Sequence, residues 1–130
     1  MTAELVLLAA SIVLGFVHIV LASHAASWQR GYRWTAGSRD YGVPPLTGIA
    51  GRLPRASQNY LETFPFFAAA ILAAHVAGRE GALTLWGAHL YLWARLVYLP
   101  LYAFGVPLVR SLVWNVAAVG IFLIVAALLL

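Results

Sequence analysis

The 130-residue sequence has no cysteine and no lysine, and it is poor in charge of either sign. Without cysteine the chain has no disulfide, no thiolate metal site and no thiol nucleophile, so any sulfur chemistry must use a thiol brought by a ligand. All eight basic residues are arginine, whose planar, permanent charge suits carboxylates and anionic small molecules. Nucleic acid is a poor partner, because these arginines flank apolar stretches and form no soluble basic face.

Apolar residues are what the sequence has in excess. Hydrophobic residues make up 63% of the chain and charged residues 9%, where ordinary soluble domains have about 25% charged residues. Residues 4–27, 55–77, 82–104 and 108–130 are each long enough for a helix to cross a bilayer. We therefore predict a single-domain, all-α membrane protein, built as a bundle of four transmembrane helices over residues 1–130.

The first of these stretches has an alternative interpretation as a secretory signal peptide. Small residues follow Leu21, as they do near cleavage sites, but the positively charged segment that precedes the apolar region of signal peptides is missing. We expect a membrane span.

Arginines are distributed unevenly among the predicted loops. The long loop over residues 28–54 is rich in Arg, Gly, Pro and aromatic residues, and a loop of this length is usually functional or disordered. The second loop holds only Arg79, whereas the first and third loops and their edges hold Arg30, Arg33, Arg39, Arg52, Arg55 and Arg110. The positive-inside rule places the first and third loops in the cytoplasm and both termini on the opposite side.

Two charges fall deep inside predicted spans. Arg55, Asn59 and Glu62 share one face of the second span, and an unpaired carboxylate at such a depth costs roughly 2.5–3.5 kcal/mol. The other deep charge is Arg95 in the third span, at a similar depth if the two spans are antiparallel. We therefore predict an ion pair between Glu62 and Arg95.

Further polar residues share the face of the third span that carries Arg95. Tyr98 and Tyr102 follow Arg95 at helical spacing, and Arg110 with Ser111 opens the fourth span. Together with the second-span residues they predict a polar funnel that opens to the cytoplasm. A structural pair that only locks two helices needs fewer polar groups, so we favour a binding site.

The remaining polar and aromatic residues indicate structure more than chemistry. His18, His75 and His89 lie in different spans without metal-binding spacing, so we expect hydrogen-bonded core histidines and no metal site. His24 is expected at the membrane interface. Trp86 and Trp93 are expected to face lipid or to pack.

Two sequence motifs resemble those of a known protein family. Arg52-x-x-Arg55-Ala-x-x-Asn59-x-x-Glu62-x-x-Pro65, followed by Arg95-x-x-Tyr98-x-x-x-Tyr102, resembles the signature of the membrane-associated proteins in eicosanoid and glutathione metabolism, the MAPEG family. The resemblance, to a bacterial-type member, implies a homotrimer in the inner membrane. It also implies that glutathione binds between adjacent subunits at the cytoplasmic side.

The resemblance implies roles for individual residues. Arg110, with Ser111 beside it, is expected to activate the thiol. The tripeptide is expected to be held by Arg30, Arg55, Asn59, Glu62, Arg95, Tyr98 and Tyr102. Arg33 is the alternative to Arg30 as the arginine from the end of the first span. The sequence departs from the family pattern at Ser57 and Gln58, which alters one ligand contact. It departs again at Pro54 and Pro100, and Pro100 is expected to kink the third span and shift Tyr102.

The function expected from the resemblance is a glutathione-dependent transferase or peroxidase, or one that uses another small thiol, acting on lipophilic substrates. A non-catalytic lipid-binding protein of the same fold is the first alternative. A small multidrug-type transporter is the second, but the stretch from Leu5 to Ser23 lacks the acidic residue that such transporters need.

Overall fold

The structure, a computed structural model, describes residues 1–40 and 42–130, and Tyr41 of the predicted long loop lies outside them. Its helices are α1 (Ala3–Arg30), α2 (Tyr32–Ala36), α3 (Gly48–Val76), α4 (Ala82–Ala103) and α5 (Leu108–Leu129). The described residues contain no strand. The predicted all-α class is therefore confirmed.

Two of the long helices have the length and composition of a membrane span. They are α1 and α5, and their most apolar windows have mean hydropathies of 2.7 and 2.6. The more polar α3 carries Arg52, Arg55 and Glu62, and α4 contains Arg95 and several tyrosines and tryptophans. These residues lower the hydropathy of α3 and α4, so the four-span topology stays a prediction.

The helices are longer than predicted around the first loop. The first helix runs to Arg30 and the next long helix begins at Gly48, so the predicted loop of residues 28–54 is too long at both ends. Pro54 does not mark the start of α3 but lies inside it, where a proline removes one backbone hydrogen bond and can kink the helix without ending it. The loop before Gly48 is tied to α1, since Gln29 exchanges hydrogen bonds of 3.1 and 3.0 Å with Thr47.

Glycines end the two helices that carry most of the candidate site. Gly78 has φ 67° after α3, and Gly105 has φ 72° after α4. Glycine adopts this left-handed conformation without steric cost, which allows the chain to reverse tightly. The backbone N–H of Arg79 then bonds the carbonyl of Ala74 at 2.9 Å, and that of Val106 bonds the carbonyl of Leu101 at 2.9 Å.

Aromatic rings fill the contact between α1, α3 and α4. The Tyr60 hydroxyl donates to the backbone carbonyl of Ser11, and its ring stacks on His18 with 4.8 Å between centroids. Phe67 stacks on Tyr91 with 4.0 Å between centroids. Tyr60, Phe67 and Tyr91 are at most 1% exposed, so they form the core of the three-helix contact.

Hydrogen bonds identify which helix ends lie together. At one end of the molecule, Thr2 Oγ1 donates to Glu80 Oε2 at 2.7 Å, which joins the start of α1 to the turn between α3 and α4. At the other end, Arg52 Nε donates to the Ala103 carbonyl at 2.8 Å, which joins the start of α3 to the end of α4. The start of α5 follows directly from this second end, where the candidate site residues lie.

Candidate functional site

A polar cavity of about 310 Å³ lies where α3, α4 and α5 meet. The helical faces predicted from the sequence place its polar side chains, since Tyr98 and Tyr102 are one turn apart on α4 and Arg110 and Ser111 open α5. The residues that line the cavity are Asn59, Tyr98, Tyr102, Arg110, Ser111, Trp114 and Asn115. The fold therefore brings together five of the residues proposed from the sequence.

Arg110 lies against an aromatic wall. Its Cζ is 4.5 Å from the centre of the Tyr102 ring, and the Tyr102 and Tyr98 rings are 5.7 Å apart. A guanidinium over a ring face is attracted by the ring quadrupole, which restricts the side chain without using its N–H groups. The Arg110 N–H groups thus stay available for a ligand with acceptor atoms.

The predicted ion pair between Glu62 and Arg95 is wrong for the described chain. Arg95 is 0% exposed, and its Nη1 donates to Asn59 Oδ1 at 2.8 Å. Asn59, which precedes Glu62 by about one turn of α3, occupies the approach to the guanidinium. Glu62 is exposed, and His75 with Glu80 forms the single ion pair within 4.0 Å among the described residues.

Glu62 instead lines a second opening. An apolar groove of about 690 Å³ runs between α3 and α5, with Phe66 and Phe122 among its walls. Asn59, Glu62 and Thr63 form its polar part. Asn59 and Trp114 also line the polar cavity. The carboxylate of Glu62 therefore belongs to a groove that adjoins the cavity, and does not belong to the cavity itself.

Two of the proposed arginines lie away from the cavity in the single chain. Arg55 is exposed on α3 and is not among the cavity's lining residues. Arg30, at the end of α1, has its Cζ 5.0 Å from the Trp34 ring and lines a separate pocket of about 370 Å³. Their participation in the site stays a prediction, which needs a second copy of the chain to supply them.

Trp114 and Asn115 were missed by the sequence reasoning. They follow Arg110 and Ser111 by four residues, so helical spacing alone could have placed them on the cavity wall. Asn115 Nδ2 donates to the Ser111 carbonyl at 2.9 Å, which leaves its carbonyl oxygen as an acceptor.

Two histidines, His18 and His75, differ from the predicted hydrogen-bonded core histidines. His18 is buried at 1% exposure as expected, but neither ring nitrogen has a hydrogen-bond partner, and the ring stacks on Tyr60 instead. His75 is exposed and lies 3.2 Å from Glu80, while His89 accepts from Trp93 Nε1 at 3.1 Å. The part of the chain that the structure describes contains no group of three His, Cys, Asp or Glu side chains that could hold a metal ion.

The described residues form an all-helical protein with an arginine- and tyrosine-lined cavity near one end of its long helices, two of which are long and apolar enough to cross a membrane. The model of the MAPEG family matches residues 7–130, nearly the whole chain, and the chain belongs to this family. Comparison with curated proteins and with solved structures found no match.

Proposed function

We propose that the chain is a membrane enzyme that uses glutathione, or another low-molecular-weight thiol, to conjugate or reduce lipophilic substrates. The MAPEG family includes glutathione transferases and peroxidases as well as non-catalytic members. The observation that carries the proposal is the cavity itself, which gathers Asn59, Tyr98, Tyr102, Arg110 and Ser111 from three helices. A purely structural role for these residues does not require them to converge on one open cavity.

The donor set of the cavity fits glutathione. The tripeptide carries two carboxylates and one ammonium, and Arg110 can donate charge-assisted hydrogen bonds to a carboxylate. The hydroxyls of Tyr98, Tyr102 and Ser111 can donate or accept as the ligand requires. A volume of about 310 Å³ also lies at the lower end of the range of about 300–1,000 Å³ for small-molecule sites.

Arg110 and Ser111 are the proposed catalytic residues. Bound glutathione would supply the sulfur nucleophile that this cysteine-free chain lacks. A free thiol has a pKa of about 8.5, and the guanidinium of Arg110 would favour its thiolate form at lower pH. Ser111 would add a hydrogen bond to the same charge, and the aromatic wall would exclude water from it.

The apolar groove between α3 and α5 gives lipophilic substrates a route to the cavity. It shares Asn59 and Trp114 with the cavity, so a substrate that enters from the bilayer would reach the cavity in which the thiol of glutathione is proposed to bind. The contribution of the protein would then be proximity together with electrostatic stabilisation.

We propose a homotrimer in which the site is completed between subunits. The support is that Arg30, Arg55 and Glu62 lie outside the polar cavity of one chain, although the family resemblance assigns all three to the ligand. The first and third loops, which with their edges hold six of the eight arginines, would face the cytoplasm of a bacterial inner membrane, and the termini would lie on the other side.

The test is isothermal titration of the detergent-solubilised protein with glutathione, together with the ultraviolet absorbance of the bound thiolate. The wild type should bind, and Arg110→Ala should lose the thiolate absorbance. Tyr91→Phe is a matched control, because its hydroxyl contacts Thr63 at 2.9 Å and lies outside the cavity. Absence of both binding heat and turnover of a general electrophile would contradict the proposal.

A lipid-binding role without catalysis is the second candidate. It is favoured by an apolar groove of about 710 Å³ between α4 and α5, whose walls include Trp86 and Trp93. Under this hypothesis native mass spectrometry would show retained lipid, displaced by Trp93→Ala, in a protein that binds no thiol.

A further inference from the structure

The side chain of Arg95 is completely buried and does not line the polar cavity. Its guanidinium lies 5.2 Å from the Tyr60 ring centre and 4.2 Å from that of Tyr98. The hydrogen bond from Nη1 to Asn59 Oδ1, 2.8 Å long, is its one hydrogen bond to the described residues. Arg95 therefore contacts a cavity residue without reaching the cavity.

The chemistry of this contact determines the orientation of the Asn59 amide. Arginine is a donor at every nitrogen and has no acceptor, so the Asn59 atom that faces it must be the carbonyl oxygen. The Asn59 amino group, with two N–H donors, is then left for the cavity that Asn59 lines. An unconstrained amide could present either atom to a ligand.

We infer that Arg95 is a positioning residue that holds the Asn59 amide so that its amino group, and never its carbonyl, is offered to an acceptor group of the ligand. The inference deepens the proposed function, on which it rests for the identity of the ligand. It replaces the direct ligand contact expected for Arg95 from the sequence with an indirect role.

A consequence for the ligand class follows from the amide on the opposite wall. Asn115 on α5 donates its amino group to the Ser111 carbonyl and so has its oxygen free. The cavity thus has an amide donor on the α3 side and an amide acceptor on the α5 side, with Arg110 as a fixed cation. The cavity can therefore meet both an acceptor group and a donor group of one ligand.

The first experiment measures thermal unfolding of the ligand-free protein in detergent, with Asn59→Ala, Arg95→Met and the double variant. The inference predicts coupling, so that the double variant melts less far below wild type than the two single shifts added together. Additive shifts would overturn the inference. This measurement involves no glutathione, so its outcome is independent of whether the proposed function holds.

The second experiment measures glutathione binding by titration. Asn59→Asp keeps an acceptor for Arg95 but loses the amino donor, so it should fold and bind glutathione roughly tenfold or more weakly, the scale of one hydrogen bond to a charged group. Arg95→Lys, which keeps a donor and has no acceptor, should bind more tightly than Arg95→Met. Tyr91→Phe should match the wild type.

The outcomes separate the two ideas. Unchanged binding by Asn59→Asp, in a protein that binds glutathione, would overturn the positioning role and leave the proposed function intact. Coupled melting shifts in a protein that binds no glutathione would remove the proposed function and retain the role of Arg95 in holding Asn59.

Discussion

The guanidinium of Arg110 lies over the ring of Tyr102, with 4.5 Å between Cζ and the ring centre, across the turn that joins α4 to α5. The contact connects the residue proposed to activate the thiol to a helix that is packed in the core. An arginine on the first turn of an exposed helix otherwise samples many rotamers, which reduces its electrostatic effect at any one place.

The same contact begins a continuous column of rings and cations. Successive centres are separated by 4.5, 5.7, 4.2, 5.2 and 4.8 Å, and the column leads from the cavity into the contact between α1, α3 and α4. Its members, in order, are Arg110, Tyr102, Tyr98, Arg95, Tyr60 and His18. Because each member packs on the next, the cavity wall has support from the core of the molecule.

The close approach of α4 and α5 depends on two glycines. A Cβ added at Gly87 would lie 2.5 Å from the Gly120 carbonyl oxygen, and one added at Gly120 would lie 2.6 Å from the Gly87 carbonyl oxygen. We expect Gly120→Ala to lower stability by about 1–3 kcal/mol, because the backbones must move apart. Thermal unfolding in detergent measures this loss. Gly42→Ala, where a Cβ meets nothing within 4 Å, is the control, and an equal melting temperature for both variants would contradict the prediction.

The exposure of Glu62 leads to a second prediction. Because Glu62 has no ion-pair partner within the described chain, Glu62→Gln should change the stability of the ligand-free protein by less than about 0.5 kcal/mol. Under the proposed function the same variant should weaken glutathione binding, since the carboxylate complements an ammonium group. Chemical unfolding and titration measure the two effects. A loss of stability comparable with that of Arg95→Met would restore the predicted ion pair.

The sequence was sufficient for the helical class and for most of one cavity. Helical spacing placed Tyr98 and Tyr102 on one face of α4, and two motifs on separate helices converged in the fold because α3 and α4 are joined by a short turn. Helical spacing also places Trp114 and Asn115 on the cavity wall, but both are uncharged and lie outside the two motifs, so the charge pattern did not point to them.

Depth in the membrane was not enough to predict which residue of α3 contacts Arg95. Depth along a helix is fixed by the rise per residue, but rotation about the axis decides whether Asn59 or Glu62 faces Arg95, and these two differ by three residues. The start of α3 was missed for a different reason. Gly48, Gly51 and Pro54 all disfavour a helix locally, yet packing against the end of α4, through Arg52 and Ala103, outweighs propensity.

A pH-dependent contact lies at the end of the molecule opposite the cavity. Hydrogen bonds to Glu80, first from Thr2 and then from His75 and Glu4, hold the pKa of the Glu80 carboxyl below its usual range. A carboxyl with a lowered folded pKa stabilises the fold above its unfolded pKa of about 4.3, and this stability is lost as the pH falls through the lower folded value. We expect the melting temperature to decrease over that acidic range.

Variants at this contact identify its origin. Glu80→Gln should make the melting temperature less sensitive to acid, and Thr2→Val should do so partly, because it removes the largest cause of the shift. Glu62→Gln is the matched control, since that carboxylate has no ion-pair partner in the described chain. A steeper acid dependence in Glu80→Gln than in the wild type would show that the sign of the effect is wrong.

Tyr102 offers a test of how Arg110 is held. Tyr102→Phe keeps the ring under the guanidinium and removes only the hydroxyl, whereas Tyr102→Leu removes the ring face at similar bulk. Under the proposed function, Phe should retain most of the thiolate absorbance of bound glutathione, and Leu should lose a large part of it. The expected difference corresponds to a cation–π contact of about 0.5–2 kcal/mol, which is roughly a 2- to 30-fold change in the thiolate-to-thiol ratio.

The measurement for Tyr102 is the pH dependence of the thiolate absorbance at saturating glutathione. Titration of the thiol in the Leu variant should shift towards its value in free solution, because a mobile Arg110 stabilises the negative charge less. Phe and wild type should titrate together. If Tyr102→Phe lost the thiolate absorbance as fully as Tyr102→Leu, the hydroxyl of Tyr102 would be the group that stabilises the thiolate. The ring under Arg110 would then be only a packing contact.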